Sequence, residues 1–335
     1  MQGLFLALGQ VLFGHPIYGV WLSAGLMCSA ICWMLYGWMP PRWALLGGLI
    51  SVVQFGVFTY WTQSYWGGAV AGIGGALMFG ALPRIFKYHR FRDALWLGLG
   101  VAILLNSRPM EGILVAIPIG CLVLPWKINW KKVKTPVFFK NIVLPFSAIL
   151  LITIIGMGAY NKHVTGHAFE FPHRLYAKQN TAVPFLMWGQ MNNHAVPLTD
   201  KVFSDYERVN RGYYFYKKTW EGFIHYLKED IKRMFLFFLG YPLAASAVYV
   251  FFALCWHWKR LLFFIGAIFI FIFACASMNS LGARPHYFSP LTALVVMLIT
   301  SGFRLIVLRF RFLYIGCIVL IGLFLFQFIL NVVTH

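Results

Sequence analysis

The sequence predicts an all-α, polytopic membrane protein of about ten transmembrane helices with one large extracytoplasmic loop. Hydrophobic residues make up 60% of the 335 positions and charged residues only 11%, whereas about a quarter of a soluble domain is charged. Long apolar runs alternate with short polar stretches, which is typical of repeated membrane crossings. The net charge of +19 comes mostly from residues at the ends of these runs. Because basic residues in that position orient membrane helices, we predict membrane lipids, and not nucleic acid, as partners.

Ten apolar runs are candidate spans. A hydrocarbon core takes about 20 helical residues to cross, and two runs, 94–107 and 110–126, are shorter than that. Pro109 separates them and is typical of a helix start, so they are either two short spans or one hairpin that does not cross fully. We interpret them as two spans, because only with two spans do the basic loops all fall on the same side of the membrane. The predicted spans are 17–37, 44–62, 67–86, 94–107, 110–126, 141–160, 235–256, 261–280, 288–308 and 312–333.

The loop charges give the spans a direction. The short loops on one side carry fifteen Lys and Arg residues, and those on the other side carry only Arg108 and Arg284. Positive charge marks the cytoplasmic side, which predicts a multi-pass protein of the plasma (inner) membrane with residues 161–234 and both termini outside. Residues 3–13 are apolar but too short to span, so we predict an interfacial or re-entrant helix there.

The predicted organisation has three parts. Residues 1–160 form an N-terminal transmembrane bundle, 161–234 the extracytoplasmic loop, and 235–335 a C-terminal bundle. The loop holds seven of the nine acidic residues together with many aromatic ones, which predicts a packed segment on the membrane surface with an amphipathic helix at 217–233. Small residues recur throughout 67–80 and predict close helix packing.

Three groups of polar residues are predicted to face the outer side together. Guanidinium groups offer forked donors that match phosphate oxygens, which points to Arg108 and Arg284. The alternatives are that each arginine is an interfacial anchor and that Glu111 pairs with Arg108 across one helical turn. The three groups are Arg108 with Glu111, then Arg284 with His286 and Tyr287, and in the loop His163, His167, Glu170, His173 and Arg174.

Metal binding is the less favoured interpretation of the loop histidines. His163 and His167 with Glu170 have residue types that bind zinc, but Gly166 and Pro172 interrupt the helix that this spacing needs. We therefore predict no metal ligands and no cofactor. Tyr65 and Trp66 are typical of an interfacial aromatic belt.

Several segments resemble the bacterial membrane glycosyltransferases of the GT-C class, relatives of the protein mannosyltransferases and aminoarabinose transferases. The resemblance covers nearly the whole chain through short motifs. The segments that carry it are Gly3-Leu4-Phe5-Leu6-Ala7-Leu8-Gly9, Tyr65-Trp66-Gly67-Gly68-Ala69, Asn106-Ser107-Arg108-Pro109-Met110-Glu111-Gly112, Tyr160-Asn161 with Thr165-Gly166, and Arg284-Pro285-His286-Tyr287.

The resemblance implies an enzyme that takes a sugar from a polyprenyl-phosphate-linked donor on the extracytoplasmic side. It implies Arg108, Arg284, His286 and Tyr287 as the residues that bind the donor phosphate. The family places its catalytic carboxylate in the loop after the first transmembrane helix, and this chain opens beyond that point. We therefore expect a helix and loop to precede Met1, or the enzyme to be inactive as given, with Glu111 and Glu170 as the substitute carboxylates.

Two other classes of function stay open. A transporter or lipid flippase usually carries an ionisable group within the membrane, and outside the loop the only acids are Asp93 and Glu111. The other alternative is a non-catalytic membrane scaffold.

Overall fold

A computed structural model of the chain describes residues 1–57, 59–107, 135–193, 200–255, 277, 279, 284–310 and 313–334. These residues are predominantly helical and no strand occurs among them, which confirms the predicted all-α class. The helices are α1 (Gln2–Phe13), α2 (Ile17–Trp38), α3 (Pro41–Ser51), α4 (Gly68–Tyr88), α5 (Phe91–Ser107), α6 (Pro136–Thr165), α7 (Pro172–Asn180), α8 (Lys201–Lys218), α9 (Trp220–Phe238), α10 (Gly240–Cys255), α11 (Thr292–Arg309) and α12 (Tyr314–Thr334). Two short 3₁₀ turns, Pro285–Tyr287 and Ser289–Leu291, precede α11.

Four segments among the described residues are long and apolar enough to cross a membrane: α2, α4, α6 and Ser289–Arg309. The pair α9 and Gly240–Val250 would make a fifth, although the two helices meet at a bend of 95°. α1 and Tyr314–Leu330 are shorter apolar helices. The described residues thus show four or five candidate spans where the sequence predicted about ten. The predicted span 110–126 lies outside the described residues, as does 261–280 apart from residues 277 and 279.

The predicted span 44–62 is wrong in its extent. The α-helix ends at Ser51 and widens into a π-helical turn, Val52–Gly56, before the backbone becomes extended at Val57. The side chain of Gln54 in this turn donates a hydrogen bond to the carbonyl oxygen of Phe237 over 2.7 Å. This contact ties the turn to the end of α9, where the last carbonyl groups of a helix need donors from outside it.

The predicted amphipathic helix 217–233 is also shifted. The structure has two helices there, α8 ending at Lys218 and α9 beginning at Trp220. Thr219 separates them in an extended conformation, and its hydroxyl oxygen accepts a hydrogen bond from the backbone N–H of Gly222 over 3.1 Å. A threonine that caps the next helix in this way stops the preceding one.

The chain divides into two compact units. Unit 1 comprises Met1–Leu150, Leu236–Phe264 and Pro285–His335, and unit 2 comprises Leu151–Phe235 and Ile265–Arg284. The predicted boundaries differ from this division in two ways: the first part ends at Leu150 and not at 160, and Ile265–Arg284, predicted within the C-terminal bundle, belongs to unit 2.

In unit 1, α4 lies at the centre. Of its membrane-length window 78% is buried, whereas only 11% of the α6 window is, because α6 presents its apolar side chains outward, as a lipid-facing helix does. α4 achieves its burial through glycines. A Cβ on Gly75 would lie 2.1 Å from the carbonyl oxygen of Pro290, and a Cβ on Gly74 would lie 3.0 Å from the carbonyl oxygen of Gly100 on α5. Backbone therefore packs directly on backbone, as predicted from the small-residue pattern.

Arg84 fastens the far end of α4. Its guanidinium donates to the carbonyl oxygens of Gly80 at 2.6 Å and Trp33 at 2.8 Å, and it lies 4.0 Å above the indole ring of Trp33. Asp93, at the start of α5, is only 3% exposed and is close enough to Arg84 for the two charges to interact. This polar contact joins α2, α4 and α5 at one end.

Unit 2 packs around α8 and α9. The rings of Tyr213 and Tyr226 lie 4.1 Å apart, and Lys217 and Asp230 are both 1% exposed. The carboxylate of Glu207 accepts hydrogen bonds from the backbone N–H groups of residues 182 and 183 at 2.8 and 3.1 Å. The loop segment is thus packed, as predicted, and the structure adds that it has its own buried polar groups.

We expect replacement of Gly75 by alanine to lower the free energy of unfolding by about 1–3 kcal/mol, the usual cost of overpacking, because the new methyl group must displace backbone. Replacement of Gly25 by alanine in α2 is the matched control, since nothing lies within 4 Å of its Cβ position. Thermal unfolding of the two purified variants in detergent measures the difference. Equal stability would contradict the close approach of α4 to the Ser289–Leu291 turn.

Candidate functional site

His286 is the most enclosed of the predicted site residues that the structure describes. It lies in the 3₁₀ turn Pro285–Tyr287 and is 2% exposed. Its carbonyl oxygen accepts a hydrogen bond from the Ser289 hydroxyl at 2.9 Å, and the Ser289 carbonyl accepts one from the Thr292 hydroxyl at 2.7 Å. These bonds hold the turn against the start of α11.

Three aromatic rings surround the imidazole. Trp66 stacks on it nearly parallel, with ring centres 5.3 Å apart and planes 10° apart. The ring centre of Tyr60 lies 5.9 Å from that of the imidazole, with the two planes 27° apart, and the ring centre of Tyr287 lies 4.5 Å from it. We call Tyr60, Trp66, His286 and Tyr287 the histidine cluster. All four residues belong to unit 1.

A hydrogen bond fixes the orientation of the imidazole. The Tyr60 hydroxyl and His286 Nδ1 are 2.9 Å apart. If the tyrosine donates, Nδ1 is the acceptor and Nε2 carries the proton of the neutral ring. The imidazole then offers its donor on the side away from Tyr60.

α4 positions this cluster. Trp66 immediately precedes the Gly67 N-cap of α4. The carbonyl oxygen of Pro290 lies against Gly75, about two turns further along the helix. The glycines of α4 let the backbone of that turn approach closely. As a result, the 3₁₀ turn that carries His286 lies beside the residues that lead into α4.

Tyr60 also lines a cavity of about 190 Å³. Its walls come from the π-helical turn, the junction of α9 and α10, and α12, all in unit 1. None of the described residues that line it is charged. The polar groups among them include Gln54, Thr59, Tyr60 and Gln327, beside apolar residues such as Phe237 and Phe324. Tyr60 therefore links an uncharged cavity to a buried histidine.

Chemically, the histidine cluster provides a preoriented donor or acceptor within an aromatic enclosure. Trp66 covers one face of the imidazole while remaining 61% exposed itself. A hydrogen bond in such a low-dielectric place is electrostatically stronger than one in water. The arrangement suits recognition of a polar group that is brought up to an aromatic surface.

The other predicted phosphate-binding residues have different surroundings. Arg284 is exposed and is the last residue of unit 2, so the boundary between the units falls between it and Pro285. Tyr287 is half-buried within the histidine cluster. Arg108 and Glu111 lie outside the described residues.

Glu170 is engaged in a local ion pair. Its carboxylate accepts from the ammonium group of Lys178. This hydrogen bond lowers the pKa of Glu170 below its ordinary value, and the positive charges of Lys178, His167 and Arg174 lower it further. A carboxylate with a lowered pKa is a weaker base, so the pairing makes Glu170 less suited to removing a proton from a hydroxyl group.

The loop histidines are dispersed. His163 is exposed on the last turn of α6, which ends at Thr165, and His167 is exposed beyond Gly166. Burial is the main cause that lowers the pKa of His173, followed by the charge of Arg174. Among the described residues, no three His, Cys, Asp or Glu side chains could hold a common ion.

The sequence did not identify two members of the histidine cluster. Trp66 was assigned to an interfacial belt and Tyr60 to a span. Their contact with His286 joins segments that are far apart along the chain, and spacing alone cannot reveal such a pair. The signal that could have pointed to it is the Tyr-Trp-Gly-Gly sequence, since glycines after a tryptophan permit close approach of another backbone.

No protein-family model matches the chain, and it has no significant match among curated proteins or solved structures.

Replacement of Tyr60 by phenylalanine removes the hydroxyl that bonds to the buried His286. We expect the free energy of unfolding to fall by about 1 kcal/mol, the net value of one such hydrogen bond. Replacement of Tyr65, whose side chain is 50% exposed, by phenylalanine is the control and should change it by less than about 0.5 kcal/mol. Thermal unfolding of both variants measures this, and equal losses would contradict a specific role for the Tyr60 hydroxyl.

The ion pair of Glu170 predicts a pH dependence with a definite sign. Because its pKa is lowered in the folded state, the pair stabilises the fold above the ordinary carboxylate pKa and loses this effect as the pH falls through the lowered value. Carboxyl ¹³C NMR titration should find Glu170 below its ordinary pKa, and replacement of Lys178 by alanine should raise it. An unchanged titration in that variant would show that Lys178 is not the cause.

Proposed function

We propose that the chain is a membrane glycosyltransferase-like protein of the GT-C class. It transfers a sugar from a polyprenyl-phosphate-linked donor to an acceptor outside the plasma membrane, with about ten spans and with residues 161–234 and both termini on that side. The observation that carries this proposal is the stacking of Trp66 on His286. Trp66 and His286 belong to two of the segments on which the resemblance rests, and these segments are far apart along the chain. If both serve one active site, they must lie in contact in the fold.

The histidine cluster suits a lipid-phosphate leaving group. Departure of the phosphate leaves negative charge on its oxygens, and fixed donors directed at that charge stabilise the transition state. With Tyr60 donating to Nδ1, His286 would supply an Nε2–H donor. The resemblance also assigns Arg284 to the donor phosphate, and a guanidinium group matches phosphate oxygens with two parallel hydrogen bonds.

The cavity beside Tyr60 is consistent with a donor that has a long apolar part. The described residues that line it carry no charge, so an uncharged portion of a ligand could occupy it without loss of ion hydration. The carboxylate base remains unassigned by this proposal. Glu170 is held by Lys178, and Glu111 lies outside the described residues.

We expect replacement of His286 by alanine to reduce the rate of donor cleavage by a factor of about 10² or more. This is the usual loss in rate when one hydrogen-bond donor to the transition-state charge is removed. The measurement uses proteoliposomes with a radiolabelled polyprenyl-phosphate-linked sugar and follows release of label from the lipid. Replacement of the exposed His163 by alanine is the matched control and should leave the rate unchanged.

Two outcomes would contradict the transferase. Equal rates for the two histidine variants would remove His286 from the site. Movement of intact labelled lipid between leaflets without cleavage would instead support the flippase alternative. A variant can lose cleavage because it no longer binds the donor. Binding is therefore measured in the same samples, as the amount of labelled donor that the purified protein retains.

A further inference from the structure

The turn between α4 and α5 carries an exposed group of positive charges. Lys87, Arg90 and Arg92 are all exposed. The ammonium nitrogen of Lys87 lies 4.9 Å from the centre of the Tyr88 ring, and the guanidinium carbon of Arg90 lies 4.2 Å from it. Two cations thus gather around one aromatic ring, which is itself 45% exposed. We call Lys87, Tyr88, Arg90 and Arg92 the basic turn.

The charge of the basic turn is not neutralised by the described part of the chain. The Tyr88 ring attracts cations through its quadrupole but carries no net charge, and none of the three cations forms an ion pair with a described residue. Asp93 interacts electrostatically with Arg90 and Arg92. The same carboxylate also interacts with Arg84, so one negative charge is shared among several positive ones.

The arginines of the basic turn extend outward instead of pairing with Asp93. The Asp93 side chain is only 3% exposed, and one of its carboxylate oxygens has no hydrogen-bond partner among the described residues. The sequence offers little other negative charge, because residues 1–169 contain twelve Lys and Arg residues and only two acidic ones, Asp93 and Glu111. The negative charge that balances the basic turn must therefore come from a partner.

The backbone of the basic turn is fixed before any partner binds. His89 has a left-handed conformation with a φ of 51°, and its N–H donates to the carbonyl oxygen of Ile85 over 3.1 Å. The side chain of Asn141 in α6 donates to the carbonyl oxygen of His89 over 3.2 Å, and the His89 ring contacts Phe138. A site held in this way loses less conformational freedom when a ligand binds.

Exposed apolar side chains beside the basic turn indicate an amphiphilic partner. Phe91 follows Arg90 and is 52% exposed, and Phe139, in the part of α6 that contacts His89, is 60% exposed. An anionic phospholipid has a phosphate for the cations and acyl chains for these rings, whereas a soluble anion has only the charge. The loop charges predict that this turn is cytoplasmic, and the cytoplasmic leaflet is the one rich in anionic lipid.

We propose that the basic turn binds the headgroup phosphate of an anionic phospholipid in the cytoplasmic leaflet, with the acyl chains beside Phe91 and Phe139. This is one defined site at the turn between α4 and α5, which distinguishes it from general contact with membrane lipids. It does not depend on the proposed transferase activity.

Native mass spectrometry of the whole protein in a neutral detergent tests the site, with phosphatidylglycerol or phosphatidylcholine added. Lys87→Gln with Arg90→Gln removes two charges of the basic turn. Arg42→Gln with Arg309→Gln is the matched control, since it removes two exposed charges from other loops on the same predicted side. Lys87→Arg with Arg90→Lys keeps both charges. All four native side chains are exposed, and thermal unfolding checks that each variant is folded.

We expect the dissociation constant of phosphatidylglycerol to rise about tenfold or more when Lys87 and Arg90 become glutamine, because each basic residue at a lipid surface strengthens binding several-fold. In the control and in the variant that keeps both charges it should rise less than about threefold. Arg92→Gln alone is a second variant, and we expect a rise of about threefold or more.

Four results would overturn the proposal. An equal rise in the control would show that binding follows total charge and not this site. An equal rise in the variant that keeps both charges would show that charge is not what the site provides. Equally tight binding of phosphatidylcholine by the unaltered chain would show the same. Displacement of phosphatidylglycerol by inorganic phosphate would indicate a site for a soluble anion.

Discussion

The organisation of unit 1 depends on the glycines of α4, whose lack of a side chain lets other segments of backbone approach closely. Lipid tails are as apolar as the residues that face them, so membrane helices associate mainly through close packing and hydrogen bonds. Gly75 places its backbone against the carbonyl of Pro290, and Gly74 and Gly100 bring α4 and α5 together. At these places even one methyl group would have to displace main chain. The position of the turn before α11 therefore depends on α4.

The histidine cluster follows from this packing. Ser289 and Thr292 hold the turn through hydrogen bonds to its carbonyl groups, and the turn delivers His286 to the residues that lead into α4. The imidazole is then fixed on one side by Tyr60 and covered by Trp66. Such preorganisation lets a donor act on developing charge without rearrangement. Tyr60 also belongs to the wall of the cavity, together with Gln54 and Phe237.

The sequence predicted well what local periodicity determines. The span predicted at 17–37 corresponds to α2, Ile17–Trp38, and that at 67–86 to α4, Gly68–Tyr88. Long apolar runs bounded by Pro and Gly leave few alternatives to helix. The prediction was wrong where a side chain competes with the backbone. At 44–62 the π-helical turn and Gln54 end the helix early, and near 217 the cap from Thr219 divides one predicted helix into two.

The candidate site was predictable only in part. The sequence pointed to His286 and Tyr287 because polar residues next to a span are energetically costly, and those that are present usually have a function. It did not point to their partners Tyr60 and Trp66, because aromatic residues near a membrane interface are common and give no sign of which one meets a histidine. Contacts between distant segments depend on how helices pack, and that depends on backbone approach at residues such as Gly75.

Short-range chemical cross-linking tests the central claim most directly. In a cysteine-free background, Trp66→Cys with His286→Cys is compared with Trp33→Cys with His286→Cys, since Trp33 contacts Gly80 towards the other end of α4. A short bifunctional thiol reagent should join the first pair within one chain and leave the second pair unjoined. Failure of the first pair to cross-link, when each single cysteine reacts, would contradict the claim that α4 brings Trp66 and His286 together.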